Sequence, residues 1–169
     1  MAFATSEDVM RTVEGVIRRL WSSLMKDPVP SGPFKRMTYL EAMSRYGSDK
    51  PDTRLGMEIS RIDEVLQSCD LISKITYESD PYVDVFKFEN IDNDPAVMMK
   101  FVNDFLDSPA GRIFMNNPDG GPGVFYYDAK KPLRGLQPFG FEAAEHMEEL
   151  LDLDQGDAIV IQARKKLPY

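Results

Sequence analysis

A short polar segment in the first third of the chain holds the residues with the clearest chemical potential. Ser48, Asp49, Lys50, Asp52 and Arg54 lie within seven positions of one another. A lysine and an arginine presented together can bind phosphate or carboxylate groups, the arginine through two parallel N–H bonds. The same residue types also build self-contained turns, in which Asp and Ser bond nearby backbone groups and lysine pairs with an acid. The residue types alone allow both interpretations.

The residues on either side of this segment predict the elements that position it. Thr38 is followed three residues later by Glu41, the spacing of a capping box, which predicts that a helix begins there. Gly47 stands where a residue in the left-handed conformation would end that helix. Lys50 precedes a proline, so it is disfavoured in a helix. Residues 34–59 are therefore predicted to form strand, helix, polar loop and strand.

The sequence of this region resembles one family. Residues 36–54, RMTYLEAMSRYGSDKPDTR, resemble the segment that follows motif 2 in bacterial and mitochondrial aspartyl-tRNA synthetases. Residues 1–21, MAFATSEDVMRTVEGVIRRLW, look like the end of the motif 2 strand and the helix after it. Residues 150–169, LLDLDQGDAIVIQARKKLPY, are similar to the helix, turn and strand by which that family's chain returns to its catalytic domain.

The resemblance implies a chain of three parts. Residues 1–59 would be the catalytic-domain segment following motif 2, residues 60–149 a GAD-like insertion, and residues 150–169 the return segment. The insertion is shorter than the bacterial pattern, which favours a protein of the mitochondrial matrix over one of the bacterial cytoplasm. The implied fold is α+β, with small mixed or antiparallel sheets, packed helices, and the inserted module flanked by pieces of a class II synthetase catalytic domain.

The resemblance also implies a function. The chain would be a fragment of an aspartate–tRNA ligase, which activates aspartate with ATP and transfers it to tRNA(Asp) in protein synthesis. ATP and Mg are expected for the parent enzyme, which is expected to be a homodimer; the remaining catalytic domain, aspartate and tRNA(Asp) are the expected partners. The family's motif 2 and motif 3 arginines, acidic metal site and substrate-reading histidine have no counterpart here. We therefore expect no catalytic residue, metal site or cofactor in the fragment, and place the substrate- or tRNA-proximal loop at Ser48, Asp49, Lys50, Asp52 and Arg54.

Two other classes of function remain compatible with the sequence. The chain could be a GAD-type tRNA-associated or protein-interaction module of an amidotransferase-like protein, or a free-standing structural protein. The resemblance to aspartyl-tRNA synthetases lies outside the insertion, which favours the ligase. A parent reading frame that continues upstream into a motif 2 arginine and downstream into a glycine-rich motif 3 would discriminate between these functions.

The charge distribution bears on any contact with tRNA. Residues 1–61 carry ten Lys and Arg against eight Asp and Glu, whereas residues 62–169 carry ten against twenty. A surface that follows a nucleic-acid backbone needs a basic excess, so the second part is predicted to bind tRNA weakly. The spacing of the acidic run near the end fits no calcium loop and predicts a solvated helix face. That run consists of Glu142, Glu145, Glu148, Glu149, Asp152, Asp154 and Asp157.

Helix signals recur along the chain. Caps or apolar periodicity predict helices that start after Thr5, after Ser60 and at Asp94-Pro95, and a fourth helix over residues 142–151. Trp21 lies beside the apolar stripe of the first helix and is predicted to be in the core. His146, on the fourth helix, is predicted to lie at the surface. No apolar run approaches the roughly 20 residues that a bilayer requires, so no membrane span is expected.

Strand signals occupy the intervening segments. Residues 71–77 and 82–88 are rich in β-branched and aromatic residues and predict a hairpin. Residues 112–115 and 124–127 predict strands on either side of a glycine-rich turn. Two prolines in that turn remove donors that a phosphate-binding loop would need. Residues 158–161 are continuously apolar, which predicts a strand buried on both faces.

We predict that the 169-residue chain alone does not form aspartyl adenylate. No pair of its residues replaces the arginines and the acidic metal site that stabilise charge during phosphoryl transfer. Exchange of labelled pyrophosphate into ATP, measured with aspartate and this chain, should equal the blank without protein. Exchange that requires both aspartate and the chain would contradict the prediction.

Overall fold

The computed structural model describes residues 3–29, 31–66, 69, 71, 76, 79–90 and 93–166. The chain divides into two compact units, residues 1–38 and residues 39–169. The described helices are α1 (Ser6–Leu24), α2 (Tyr39–Tyr46), α3 (Pro95–Asp107), α4 (Pro109–Met115) and α5 (Phe141–Leu151). The described strands are β1 (Ser60–Arg61), β2 (Tyr82–Phe88), β3 (Gly123–Tyr126) and β4 (Ala158–Arg164), and two short 3-10 turns cover Pro132–Gly135 and Gln137–Phe139.

The first unit is organised by α1. The predicted cap is confirmed: Thr5 Oγ1 accepts the backbone N–H of Asp8 at 3.2 Å, and the Asp8 carboxylate accepts the N–H of Thr5 at 3.0 Å. The prediction that Trp21 is a core residue is wrong, since it is 37% exposed and its indole N–H donates to the carbonyl of Asp27 at 3.1 Å. The described part of residues 1–38 contains no second helix or strand against which the apolar stripe of α1 could pack.

The second unit is built on a four-stranded antiparallel sheet with the order β1-β2-β4-β3. Strand β4 lies inside the sheet, pairing with β2 from Ala158 opposite Phe88 to Arg164 opposite Tyr82, and with β3 on its other side. Ala158, Ile159 and Ile161 are almost fully buried. The predicted strand is confirmed, but it is fully buried on one face only. Ile159, Ile161 and Ala163 are buried on the α5 face, whereas on the opposite face Ala158 is buried and Val160 is half-buried.

Side chains alternate between the two faces of this sheet, and each face has its own helix. Helix α5 covers the face that carries Val83, Val85, Ile159 and Ile161. Helix α3 covers the opposite face, where Met98 and Val102 pack with Ala158. The larger core, between α5 and the sheet, contains Ile62, Leu66, Val83, Val85, Tyr127, Leu136, Phe139, Ala143, Ala144, Met147, Leu151, Leu153, Ile159, Ile161 and Ala163.

The α+β class with a small antiparallel sheet and packed helices is confirmed. The start of α3 is also confirmed, since the Asp94 side chain accepts the N–H of Ala96 at 2.9 Å and Pro95 occupies the first turn. The division into residues 1–59, 60–149 and 150–169, and the GAD-like character of the middle part, remain predictions. Strand β4, in the last part, shares one sheet with β2 and β3 of the middle part.

The prediction of a strand at residues 112–115 is wrong, because they belong to helix α4. Ser108 Oγ accepts the N–H of Gly111 at 3.1 Å, and Pro109 lies in the first turn, so Ser108-Pro109 is a helix start. Gly111 is buried against α3: a Cβ there would lie 2.2 Å from the carbonyl oxygen of Phe105. Glycine thus permits the close approach of the two helices.

The helix predicted after Ser60 is also wrong. Ser60 and Arg61 form β1, which pairs with Val85 and Asp84 of β2. The N–H of Ile62 continues this pairing by donating to the carbonyl of Val83 at 2.9 Å. Residues 63–66 form a turn, so sheet pairing replaces the expected cap.

The hairpin predicted from residues 71–77 and 82–88 is not formed as expected. In the described part of the chain, the neighbours of β2 are β1 and β4. Leu71 is helical, and Thr76 is buried outside any strand. The rest of the first predicted strand, residues 72–75 and 77, lies outside the described residues. The second predicted strand, residues 82–88, is confirmed as β2.

Two methionines on different helices provide a matched test of this core. Met147 of α5 is fully buried in the larger core, whereas Met99 of α3 is 37% exposed. We expect Met147→Ala to lower the free energy of unfolding by about 2–5 kcal/mol, because it removes buried apolar atoms and leaves a cavity. Met99→Ala should change it by less than about 1 kcal/mol. Urea unfolding of both variants measures the difference, and equal losses would show that the α5 face is not the core.

Candidate functional site

The predicted polar loop lies between α2 and β1 and is fastened at its base. Helix α2 ends as predicted at Gly47, whose φ is +64° and whose N–H donates to the carbonyl of Met43 at 3.0 Å. The chain returns at Ile59, whose N–H donates to the carbonyl of Arg45 at 2.7 Å. The Arg45 guanidinium binds the Glu58 carboxylate through Nη2 at 2.6 Å and Nε at 3.0 Å. The base of the loop is therefore closed by a backbone hydrogen bond from Ile59 to Arg45 and by the side-chain ion pair of Arg45 with Glu58.

The first half of the loop holds Ser48, Asp49 and Lys50. The backbone N–H of Lys50 donates to Ser48 Oγ at 3.1 Å. Lys50 Nζ lies 3.3 Å from the nearer carboxylate oxygen of Asp49, and its side chain is 85% exposed. An ion pair between adjacent residues at such exposure is weak and screened by salt. The Lys50 ammonium therefore remains available to an incoming anion.

The second half holds Asp52 and Arg54. Asp52 Oδ1 accepts the Arg54 backbone N–H at 3.1 Å and Nε at 2.8 Å, while Oδ2 lies 2.5 Å from Arg54 Nη2. These bonds lower the pKa of the Asp52 carboxyl, because the charged form is the one that accepts the arginine side-chain and backbone N–H groups. The Arg54 side chain is 86% exposed. Its guanidinium is held in one orientation and faces solvent.

The structure therefore places the five predicted residues in two local groups on one exposed loop: Ser48, Asp49 and Lys50 in the first, Asp52 and Arg54 in the second. The hydrogen bonds expected for a self-contained turn are present. The same bonds hold two cations on a single loop whose base is fastened, which is an arrangement suited to binding phosphate or carboxylate. A role of the loop toward substrate or tRNA stays a prediction.

The acidic run is not uniformly a solvated face, contrary to the prediction. Glu142, Glu145 and Glu149 are exposed as expected. Asp157 is 2% exposed, and its two carboxylate oxygens accept the backbone N–H groups of Asn90 and Asp154, each at 2.9 Å. This carboxylate joins the loop after β2 to the turn before β4. The signal was the position of Asp157, three residues after Asp154 in a glycine-containing turn.

A second member of the run, Glu148, is also structural. It accepts a hydrogen bond from the Tyr127 hydroxyl at 2.8 Å and pairs with Arg134. Arg134 lies in the positive-φ turn before α5, so this pairing connects that turn to α5 and to the end of β3. These residues stabilise the fold, and sequence periodicity could not distinguish them from the exposed acids beside them.

Two clefts lie next to these elements. The larger, about 910 Å³, is lined by charged residues that include Arg61, Asp63, Glu142 and the exposed His146. The smaller, about 410 Å³, lies between the returning end of the polar loop, Leu55–Glu58, and the Lys87–Glu89 end of β2. The smaller cleft places the loop beside the sheet, a proximity that the sequence did not predict.

The described part of the chain brings together no group of three or more His, Cys, Asp and Glu residues that could hold a metal ion. Across the same residues, no helix has both the length and the apolar character needed to cross a bilayer.

Comparison with known proteins identifies the family. Residues 1–155 match the family model of class II tRNA synthetases of the D, K and N group. The match covers most of the chain, and the chain belongs to this family of synthetases.

Three relatives of the chain are named as aspartate–tRNA ligases. The chain is 45% identical over 69 residues to the aspartate–tRNA(Asp/Asn) ligase of Symbiobacterium thermophilum, a match that covers 41% of this chain and 12% of that protein. It is 44% identical over 69 residues to the aspartate–tRNA ligase of Clostridium perfringens, covering 41% of the chain and 11% of the relative. It is 46% identical over 65 residues to the Staphylococcus epidermidis enzyme, covering 38% and 11%.

The matched part of the chain thus spans about one eighth of the length of these curated relatives. The resemblance of the sequence to aspartyl-tRNA synthetases is confirmed.

The Asp52–Arg54 pair gives a prediction about pH. Arg54→Gln should raise the pKa of Asp52 toward its ordinary value, because the guanidinium no longer donates to the carboxylate. With the folded pKa below the unfolded one, the pair stabilises the loop above the ordinary Asp pKa, and this contribution is lost as pH falls through the lowered value. Carboxyl NMR titration of Asp52 measures the change. Lys100→Gln, on the exposed side of α3, is the control and should leave the titration unmoved.

Proposed function

We propose that this chain is part of an aspartate–tRNA ligase that activates aspartate with ATP and transfers it to tRNA(Asp). Membership of the class II tRNA synthetases supports the proposal, as do the names of the relatives at about 45% identity. The observation that carries it is the agreement between the family match over residues 1–155 and the resemblance of residues 36–54 to aspartyl-tRNA synthetases. The quoted relatives are all ligases, which favours this function over an amidotransferase-type module or a structural protein.

Within that enzyme, the polar loop is proposed to lie beside the substrate or the acceptor end of tRNA. Lys50 and Arg54 are highly exposed, and each has an acid of the loop itself as its close partner. An anionic ligand can replace Asp49 as the partner of Lys50 at small free-energy cost, because that ion pair is long and exposed. Arg54, already oriented by Asp52, would supply paired N–H donors, and Lys50 would supply a compact positive charge. Neither residue is proposed to act as an acid or base.

ATP and Mg belong to the proposal for the whole enzyme. The described residues bring together no group of three carboxylate, imidazole or thiol side chains. The metal and most contacts to ATP are assigned to the remainder of the catalytic domain, which is proposed as the principal partner of this chain. We also propose that the parent enzyme is a homodimer. Its proposed location is the mitochondrial matrix, with the bacterial cytoplasm as the alternative.

The loop is tested by Lys50→Ala and Arg54→Ala in the full-length enzyme. Each change is expected to lower kcat/KM for aminoacylation of tRNA(Asp) roughly 10- to 100-fold, because it removes a charge from the side of the bound anion. Steady-state aminoacylation measures kcat and KM, and thermal unfolding verifies that the variants fold. The matched control is Lys100→Ala, which removes an exposed lysine of α3 and should leave kinetics unchanged.

Unchanged kinetics in both loop variants, with unchanged thermal stability, would dismiss the role of the loop. The larger proposal has a separate test in the reading frame of the parent gene. A motif 2 arginine upstream and a glycine-rich motif 3 downstream are expected, and their absence would contradict the ligase function.

A further inference from the structure

Between α2 and β1, one set of side-chain contacts closes the base of the polar loop. Arg45 Nη2 lies 2.6 and 2.7 Å from the two carboxylate oxygens of Glu58, and Arg45 Nε lies 3.0 Å from the second oxygen. The Tyr46 hydroxyl donates to the same carboxylate at 3.0 Å. Arg45 Nη1 donates to Glu41 at 3.0 Å, which ties the guanidinium back to α2. We call Arg45, Tyr46 and Glu58 the loop clamp.

The clamp joins two positions that are 13 residues apart in the chain and adjacent in space. Arg45 and Tyr46 are the last residues of α2, whereas Glu58 directly precedes the stretch that enters β1. Between them, the described residues 49–50 and 52–58 are exposed. Packing therefore contributes little to the position of the loop. Its orientation depends on what holds its two ends.

The backbone at the base supports the same geometry. Gly47 has φ +64°, and a Cβ at that position would meet Ile59 Cδ1 at 3.4 Å. The N–H of Ile59 donates to the Arg45 carbonyl at 2.7 Å. The hydrogen bonds that the Arg45 guanidinium donates to the Glu58 carboxylate raise the pKa of Arg45. A bidentate arginine–carboxylate pair fixes both distance and angle, which a single hydrogen bond does not.

We propose that Glu58 and Arg45 are positioning residues for Lys50 and Arg54: their ion pair sets where the loop presents these two cations to the substrate or the tRNA acceptor end. This inference rests on the proposed function of the loop and adds to it the residues on which that function depends. Binding groups displaced by about 1 Å can lose on the order of 100-fold in rate, so a surface ion pair can matter far more to activity than to stability.

The first test is Glu58→Ala in the full-length enzyme. Aminoacylation kcat/KM is expected to fall about 10-fold or more, in the same parameter, kcat or KM, that Lys50→Ala changes. The melting temperature is expected to stay within about 4 °C, because the pair is exposed. Glu58→Asp keeps the carboxylate and should restore most of the activity. An equal loss in the alanine and aspartate variants would overturn the proposal.

The matched control is Asp80→Asn. Asp80 pairs with Lys166 at 2.5 Å, and the two side chains are 76% and 44% exposed, compared with 44% for Glu58 and 36% for Arg45. Asp80 precedes β2 at its Tyr82 end, whereas the returning end of the loop lies beside Lys87–Glu89 at the other end, about 20 Å along the strand. This variant should keep full activity. A loss equal to that of Glu58→Ala would overturn the proposal.

The decisive test combines the changes. If Glu58 acts through the two loop cations, Glu58→Ala should lower activity in the wild-type background and add less than about 2-fold in the Lys50→Ala/Arg54→Ala background. An equal further loss in that background would show that Glu58 acts by another route, and the positioning role would fall.

The two proposals fail differently. Full activity of the Lys50→Ala/Arg54→Ala enzyme would remove the function of the loop itself. Reduced activity of that enzyme together with full activity of Glu58→Ala would overturn the clamp alone and leave the loop function standing.

Discussion

The second unit depends on the pairing of β4 with the strands on both of its sides. Because β4 lies between β2 and β3, its backbone groups on both edges are bonded within the sheet, and its side chains fill the cores on both faces. The alternation of side chains along β4 places Ile159 and Ile161 toward α5 and Ala158 toward α3. A residue near the end of the chain therefore connects elements that the sequence separates by many tens of positions.

The polar loop is attached to this sheet only at its edge. Strand β1, two residues long, follows the loop and pairs with the middle of β2. The loop thus lies next to the sheet without being buried in it, as exposed loops on a folded scaffold do. Pairing of β1 with β2 fixes one end of the loop, and the charged side chains Lys50 and Arg54 lie in its exposed part.

Acidic residues serve two different purposes in this chain. Glu142, Glu145 and Glu149 are exposed and contribute to the negative charge, whereas Asp157 and Glu148 accept hydrogen bonds that join turns to strands and helices. A buried carboxylate that accepts two backbone N–H groups satisfies donors for which the sheet has no partner. The excess of acid in the second unit is therefore partly structural, and tRNA contact is more compatible with the loop than with this surface.

Local chemistry in the sequence was sufficient for several elements. Thr5 and Asp94 cap α1 and α3, Gly47 ends α2, and the apolar run at residues 158–161 is an interior strand. In each case the determining contact lies within a few residues or within one periodic pattern. The family was also evident from the sequence, because the match over residues 1–155 needs no tertiary information.

Tertiary structure decided what depends on distant partners. Ser60 and Arg61 have a cap-like sequence but pair with β2, and residues 112–115 have strand-like composition but continue a helix that Gly111 allows to pack closely on α3. Trp21 is a large apolar residue of the kind that usually lies in a core, yet it is 37% exposed. The described part of residues 1–38 contains no second helix or strand that could cover it. The ion pair between Arg45 and Glu58 likewise could not be predicted, because the sequence does not show which residues meet where the loop turns back to the end of α2. Short-range hydrogen bonds can be predicted from neighbouring residues in the sequence. Side-chain burial and strand pairing depend on surfaces that only the folded chain brings together.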